Sequence, residues 1–148
     1  MNQKRIEKLI PIAMDILPTI DAVVNNNRVS ILTEGLELPS NYSGYIDSFG
    51  PTVRQSGLLQ AITFNEKNEK RKLINKLLFE VIKKASNDGV IGYFEDKISA
   101  ASDLKGLVKL ISNSNMEKKK LENIVFETVI ACKLAMKTYH KIKVEDNE

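Results

Sequence analysis

One cysteine, one histidine, no tryptophan, four prolines and seven glycines are spread over 148 residues, and each shortage closes off a class of protein. A single thiol, Cys132, cannot build a disulfide scaffold. One cysteine and one histidine, His140, are too few for the usual tetrahedral zinc set, and they leave only one conceivable Cys–His pair. Aromatic residues are 6% of the chain; with so little glycine and proline, that composition suits helices better than a β-sandwich. No apolar run approaches the roughly 18 residues that a membrane span needs. The stretch behind the basic start, Met1-Asn2-Gln3-Lys4-Arg5, is interrupted by Pro11, Asp15 and Pro18, so it does not read as a secretory leader. An unpaired thiol with no export signal makes the cytoplasm the expected compartment.

Catalytic signatures are missing as well. There is no phosphate-binding G-x-x-x-x-G-K-[ST] loop, no G-x-G-x-x-G and no H-E-x-x-H. The close carboxylates, Glu95-Asp96 and Glu145-Asp146, are sequence neighbours and so do not share a helix face; they read as solvated or terminal charge. Asp88, before Gly89, reads as a turn residue, and Cys132 on an apolar stripe reads as a small hydrophobe. The expectation is a protein that is not an enzyme and that uses no metal and no cofactor.

What is present is a helical pattern. With hydrophobic residues at 43% and charged residues at 28%, the chain can build a core, and disorder throughout is excluded. At this length about two-thirds of the unfolded surface can be buried in one domain. Residues 4–24 carry Ile6, Leu9, Ile10, Ala13, Leu17, Ile20 and Val24 at helical spacing, with a kink or break expected at Pro11 or Pro18. Asn25-Asn26-Asn27 reads as a turn, and residues 25–44 as a loop excursion with at most a short extended piece. Helical pattern resumes from Tyr45, with Pro51 placed as a first-turn residue or a kink. Gly57 is a break. Leu73, Ile74, Leu77, Leu78, Val81 and Ile82 form one clean stripe over residues 70–84. A helix is expected over 98–112. After an Asn-Ser-Asn turn with Asn115 as cap, a last helix runs to about residue 143. Leu77, Leu78, Val81, Val125, Val129, Cys132 and Met136 are the expected core. The fold expected is all-α, one domain over 1–148, five to seven helices with a long C-terminal one and a frayed acidic tail at 144–148.

Net charge is only +3, but its placement is uneven. Residues 66–85 hold Lys67, Lys70, Arg71, Lys72, Lys76, Lys83 and Lys84 against three glutamates, and residues 117–143 hold seven lysines against three glutamates. Two basic segments of this kind fit either solvated helix faces or a polyanionic partner.

One stretch carries a family resemblance. Tyr45, Pro51, Val53, Gly57, Leu58, Ala61 and Phe64 resemble the signature of the small subunit of the type III-B CRISPR effector, the Cmr complex, and Lys67 takes the place of a lysine that often follows the Phe. The strong likeness covers about residues 45–85. The chain departs from the family's pattern at Gly50, in the longer connection over 25–44, and in a final helix without the usual Trp and Arg. In the signature, Gly57 joins two helices at a tight turn, Leu58 packs beneath it and Phe64 fills the core. The resemblance implies a non-catalytic subunit that stacks in several copies beside the other subunits of the effector. A basic surface would support guide RNA and target RNA through their backbones.

That implication meets the basic segments at particular residues. Lys133, Lys137 and Lys141, spaced by four, are expected on one helix face, with His140 beside it. Lys67, Lys70, Arg71, Lys72 and Lys76 form the second cluster, which Arg54 joins. Phosphate contacts of this kind ignore base identity, which suits a complex whose specificity comes from pairing. The nucleic-acid-binding candidates are thus Arg54, Lys67, Lys70, Arg71, Lys133, Lys137 and Lys141. Two readings from other classes stand beside this one. A helical DNA-binding regulator would use residues 98–112 and the following helix as a helix-turn-helix and would prefer duplex DNA. A helical adaptor would bind protein alone and show no salt-dependent RNA binding. A small subunit of a related type III effector is a variant of the first reading.

Overall fold

The computed structural model describes residues 2–111 and 114–144. The tail expected at 144–148 therefore lies outside the described residues beyond position 144, as does Asn113 of the expected turn. Among the described residues there are seven α-helices and two sheets of two strands each, so the all-α expectation holds.

Helix α1, Gln3–Ile16, starts where the Asn2 side chain accepts the Arg5 N–H. Pro11 sits inside it on the exposed side, so the carbonyl that lacks its N–H partner is not enclosed in the core. The break falls at Pro18, within a 3₁₀ turn, Leu17–Thr19. The expected continuation of this helix to residue 24 is wrong. Instead β1, Asp21–Val24, pairs antiparallel with β2, Asn27–Ser30. Asn25 and Asn26 link them at φ 50° and 67°, the paired left-handed residues that a two-residue hairpin loop demands and that Asn tolerates. Strand β3, Leu38–Pro39, follows, and Lys141–Ile142, β4, returns parallel to it.

Helix α2, Ser40–Ser56, begins five residues before Tyr45 and passes through the exposed Pro51 without ending. Gly57, at φ 88° and ψ 162°, makes the corner to α3, Leu58–Glu66. That corner needs glycine, because a side chain is strained at such a φ. Asn68 caps α4, Glu69–Asn87, by accepting from the Lys70 and Arg71 N–H groups. Its buried arc spans Leu73, Ile74, Leu77, Leu78, Phe79, Val81, Ile82 and Ala85. So wide an arc belongs to a central helix, and α4 packs against α1, α2, α3, α5, α6 and α7.

The single helix expected over 98–112 is two: α5, Glu95–Ala100, and α6, Leu104–Leu110. The carboxylate of Asp103 accepts the Gly106 N–H at 2.7 Å and so starts a new helix rather than continuing the old one. Helix α7, Asn115–Met136, is capped by Ser114, which accepts the Glu117 N–H, so the cap lies one residue before the expected Asn115. The expected core residues are all buried: Leu77, Leu78, Val81 and Val125 at 0%, Cys132 at 1%, Val129 and Met136 at 3% exposure.

Two polar contacts tie the elements together inside this core. Glu127 of α7 is fully buried; it receives Arg5 Nε at 2.6 Å, Arg5 Nη2 at 3.1 Å and the Asn2 N–H at 2.8 Å. The bidentate bond to Glu127 raises the Arg5 pKa above its already high ordinary value. Asn65 donates to Asn75 Oδ1, and Asn75 donates to the Ile62 carbonyl at 3.0 Å, which fixes α3 against α4.

Candidate nucleic-acid interface

The C-terminal lysines do not form a helical stripe. Helix α7 ends at Met136, seven residues short of the expected end. The Lys137 N–H reaches the carbonyls of Lys133 and Ala135, and the Thr138 hydroxyl donates to the Ala135 carbonyl at 2.7 Å, so the last carbonyls are satisfied locally. Tyr139 N–H bonds to the Met136 carbonyl, and the His140 carbonyl then accepts the Leu38 N–H at 2.8 Å. This turn swings the chain into β4.

The turn nevertheless gathers the three lysines. Lys133, Lys137 and Lys141 all line one open groove of about 510 Å³, together with Ser43, Asp47 and Tyr139. Lys133 Nζ lies 3.5 Å from Asp47 Oδ1, a pair at the surface that offsets one of the three cations. His140 is mostly exposed and lies 3.9 Å from Glu37 Oε2. It is not brought to Cys132, which is buried in the core and whose thiol pKa is pushed well up by desolvation.

The second cluster is divided. Lys76 Nζ donates to the Asp21 carbonyl at 2.6 Å, which docks the β1–β2 hairpin on α4. Lys72 lies with it in a cleft also lined by Glu66, Glu69, Glu80 and Asp103. On the other side, Lys67, the C-cap of α3, lines a groove with Thr52, Ser56, Gln60, Thr63 and Phe64. Arg71 stacks 4.4 Å over Tyr45 and 5.2 Å over Phe64, and Arg54 stacks 5.3 Å over Phe126. Lys70 sits in the first turn of α4. Glu66, one of the three glutamates of this segment, pairs with Lys105 of α6 at 3.5 Å.

Phe64 is the clearest departure in this region. It is expected to fill the core, but it is 51% exposed, because α3 turns Leu58, Ala61, Ile62 and Asn65 inward. Asn65 is the residue that takes the buried place. Helical spacing from Leu58 marks position 65 rather than 64, so the phase of α3 departs here from what the family signature implies. Among the described residues no group of three or more His, Cys, Asp or Glu is placed to hold a metal ion, and no helix is long and apolar enough to cross a membrane.

The model of the family described as CRISPR-associated protein (Cas_Cmr5) matches residues 26–121. The chain belongs to that family. It is the family of the small subunit of the type III-B CRISPR effector, the Cmr complex. No curated protein and no solved structure matches the chain. In this Cmr small subunit the matched span opens in the hairpin turn and closes in α7 at Leu121. It takes in the Tyr45–Phe64 stretch, Arg54, Lys67, Lys70 and Arg71; the groove lysines 133, 137 and 141 lie beyond it.

Proposed function

We propose that this Cmr small subunit is non-catalytic, that it stacks with further copies of itself beside the other subunits of the effector, and that its basic surfaces support guide RNA and target RNA in the cytoplasm. The observation that carries the RNA part is the groove holding Lys133, Lys137 and Lys141 with one opposing carboxylate, Asp47. Flexible ammonium groups on an open groove suit phosphates, whose contacts position a strand without reading it. Arg54, Lys67, Lys70 and Arg71 provide a second basic region around the α2–α3 corner and the start of α4. For stacking, the supporting feature is a neighbouring open groove of about 540 Å³ lined by Leu58, Leu59, Val108 and Leu121, with Leu59 43% exposed; it shares Ser56 and Gln60 with the groove beside Lys67.

The test is target-RNA affinity of reconstituted complexes at several salt concentrations. With Lys133, Lys137 and Lys141 all changed to Glu, affinity falls about equally for every guide sequence. The log–log salt slope becomes shallower by roughly 0.7 for each phosphate that is no longer neutralised. Unchanged affinity and slope would mean that the groove faces solvent or a protein neighbour.

A further inference from the structure

We infer that Phe64 and the polar groove beside it form a stacking site for an unpaired base of single-stranded RNA. The inference rests on the RNA-supporting reading above and adds to it a contact with bases rather than phosphates.

The outward stripe of α3 is Gln60, Thr63, Phe64 and Lys67, opposite the buried Leu58, Ala61, Ile62 and Asn65. An aromatic ring that is 51% exposed forgoes much of the stabilisation that burial would give it. Its surroundings hold it in place. Arg71 lies 5.2 Å over the ring and 4.4 Å over Tyr45, itself only 2% exposed. The guanidinium thus links Phe64 to a residue fixed in the core, and the ring becomes a supported platform rather than a loose side chain.

The groove beside the ring measures about 440 Å³, within the roughly 300–1,000 Å³ common for ligand clefts. Its lining is hydroxyls, an amide and an ammonium, with no carboxylate: Thr52, Ser56, Gln60, Thr63 and Lys67 besides Phe64. The Thr52 hydroxyl donates to the Ser48 carbonyl at 2.9 Å and that of Thr63 to the Leu59 carbonyl at 2.8 Å. Their protons are committed, so both oxygens present lone pairs to the N–H groups of a base edge. Gln60 offers a donor and an acceptor, and Lys67 suits the adjoining phosphate. Positive charge, a supported aromatic face and adaptable hydrogen-bonding groups are the combination by which proteins hold unpaired nucleotides. A protein anchor would instead be expected to sit in an apolar pocket that excludes water. A base inside a duplex has both faces covered by its neighbours, so the ring suits an unpaired nucleotide.

The experiment uses the full chain and a short single-stranded oligouridylate whose only purine is one 2-aminopurine, with an otherwise identical strand that is abasic at that position. Wild type quenches the 2-aminopurine on binding and holds the abasic strand about tenfold more weakly, as expected when one stacked base is removed. Phe64→Leu abolishes the quench and weakens binding by about the same factor while leaving the salt slope unchanged. Phe64→Tyr keeps both. Lys67→Gln lowers the salt slope and keeps the quench. Thermal melts confirm that each variant is folded. If the Lys133, Lys137 and Lys141 variants lose affinity while Phe64→Leu changes neither quench nor affinity, base stacking is overturned and the phosphate-supporting role stands. If Phe64→Leu leaves RNA binding intact but weakens association with other copies or subunits, the ring is a protein contact and the inference is overturned. If wild type, alone and assembled, binds no RNA at low salt, both readings fail.

Discussion

Helix α7 holds charge in two settings that the sequence does not distinguish by residue type. Near its middle, Glu127 is fully enclosed and meets the Arg5 guanidinium and the Asn2 N–H. At its end, Lys133 faces an open groove and approaches Asp47 at 3.5 Å. The first charge is stripped of water, so it is tolerable only with all of its partners present. The second keeps its hydration and is little constrained by folding. One helix therefore carries a charge committed to the fold and charges left available to a partner.

Removing one side of the enclosed pair gives the sharpest break in this comparison. Glu127→Ala takes the carboxylate from Arg5 and leaves its guanidinium only the Tyr93 ring at 5.5 Å, and costs about 3–5 kcal/mol in urea unfolding. A loss below about half a kilocalorie per mole, the range of surface sites, would mean that Arg5 finds water instead. Leu77→Ala provides the apolar yardstick. At 0% exposure it should cost about 2–5 kcal/mol by the same measurement, which places the ion pair on the scale of a core side chain.

Tyr42 extends the comparison to a buried group that avoids charge. Desolvation raises its phenol from an ordinary 10.0 to about 12. Burial favours the neutral form, so this contribution to stability is complete below about pH 10 and is lost as pH rises toward about 12. Absorbance titration at 295 nm should show a late-ionising phase, and Tyr42→Phe should diminish that phase by one tyrosine. The smallest effect belongs to the exposed pair. Asp47→Asn should change stability by no more than about 1 kcal/mol while raising the affinity of the groove for RNA, read as tighter binding at low salt. Weaker binding would show that Asp47 positions Lys133 rather than neutralising it.

Much of the architecture was legible because periodicity reports burial directly. The stripe from Leu73 to Ile82 and the row from Leu121 to Met136 are where their spacing places them. The two misplaced helix ends share one physical cause: short polar side chains that satisfy the backbone locally and cut a helix that hydrophobic spacing would continue. Asp103 separates α5 from α6, and Thr138 helps end α7. The β1–β2 hairpin was hidden differently. Val24 fits a helical repeat as well as a strand, and only the left-handed Asn25 and Asn26 decide between them. Of the candidate site, helical spacing accounts for Lys133 and Lys137, since the Lys137 N–H still reaches the Lys133 carbonyl. Lys141 joins them through the turn after Met136 instead. The solvent-facing place of Phe64 and the enclosure of Glu127 follow from their phase on a helix. Residue type points the other way in both cases, a phenylalanine inward and a glutamate outward.

The pairing of β3 with β4 has a consequence in time rather than in space. Ser40 Oγ accepts the Val144 N–H across 104 positions of sequence, beside strands of only two residues each. A loop of that span is entropically costly to close, and so few hydrogen bonds hold it that it belongs to the least stable tier of local opening. This corner should be among the last to form during folding and the first to exchange its amide hydrogens. The Leu38 amide, donated to the His140 carbonyl, is then a clock for the docked state. Because Lys141 lies in β4, each opening also takes away one wall of the lysine groove, so the rate at which Leu38 takes up deuterium should track how often that groove ceases to exist.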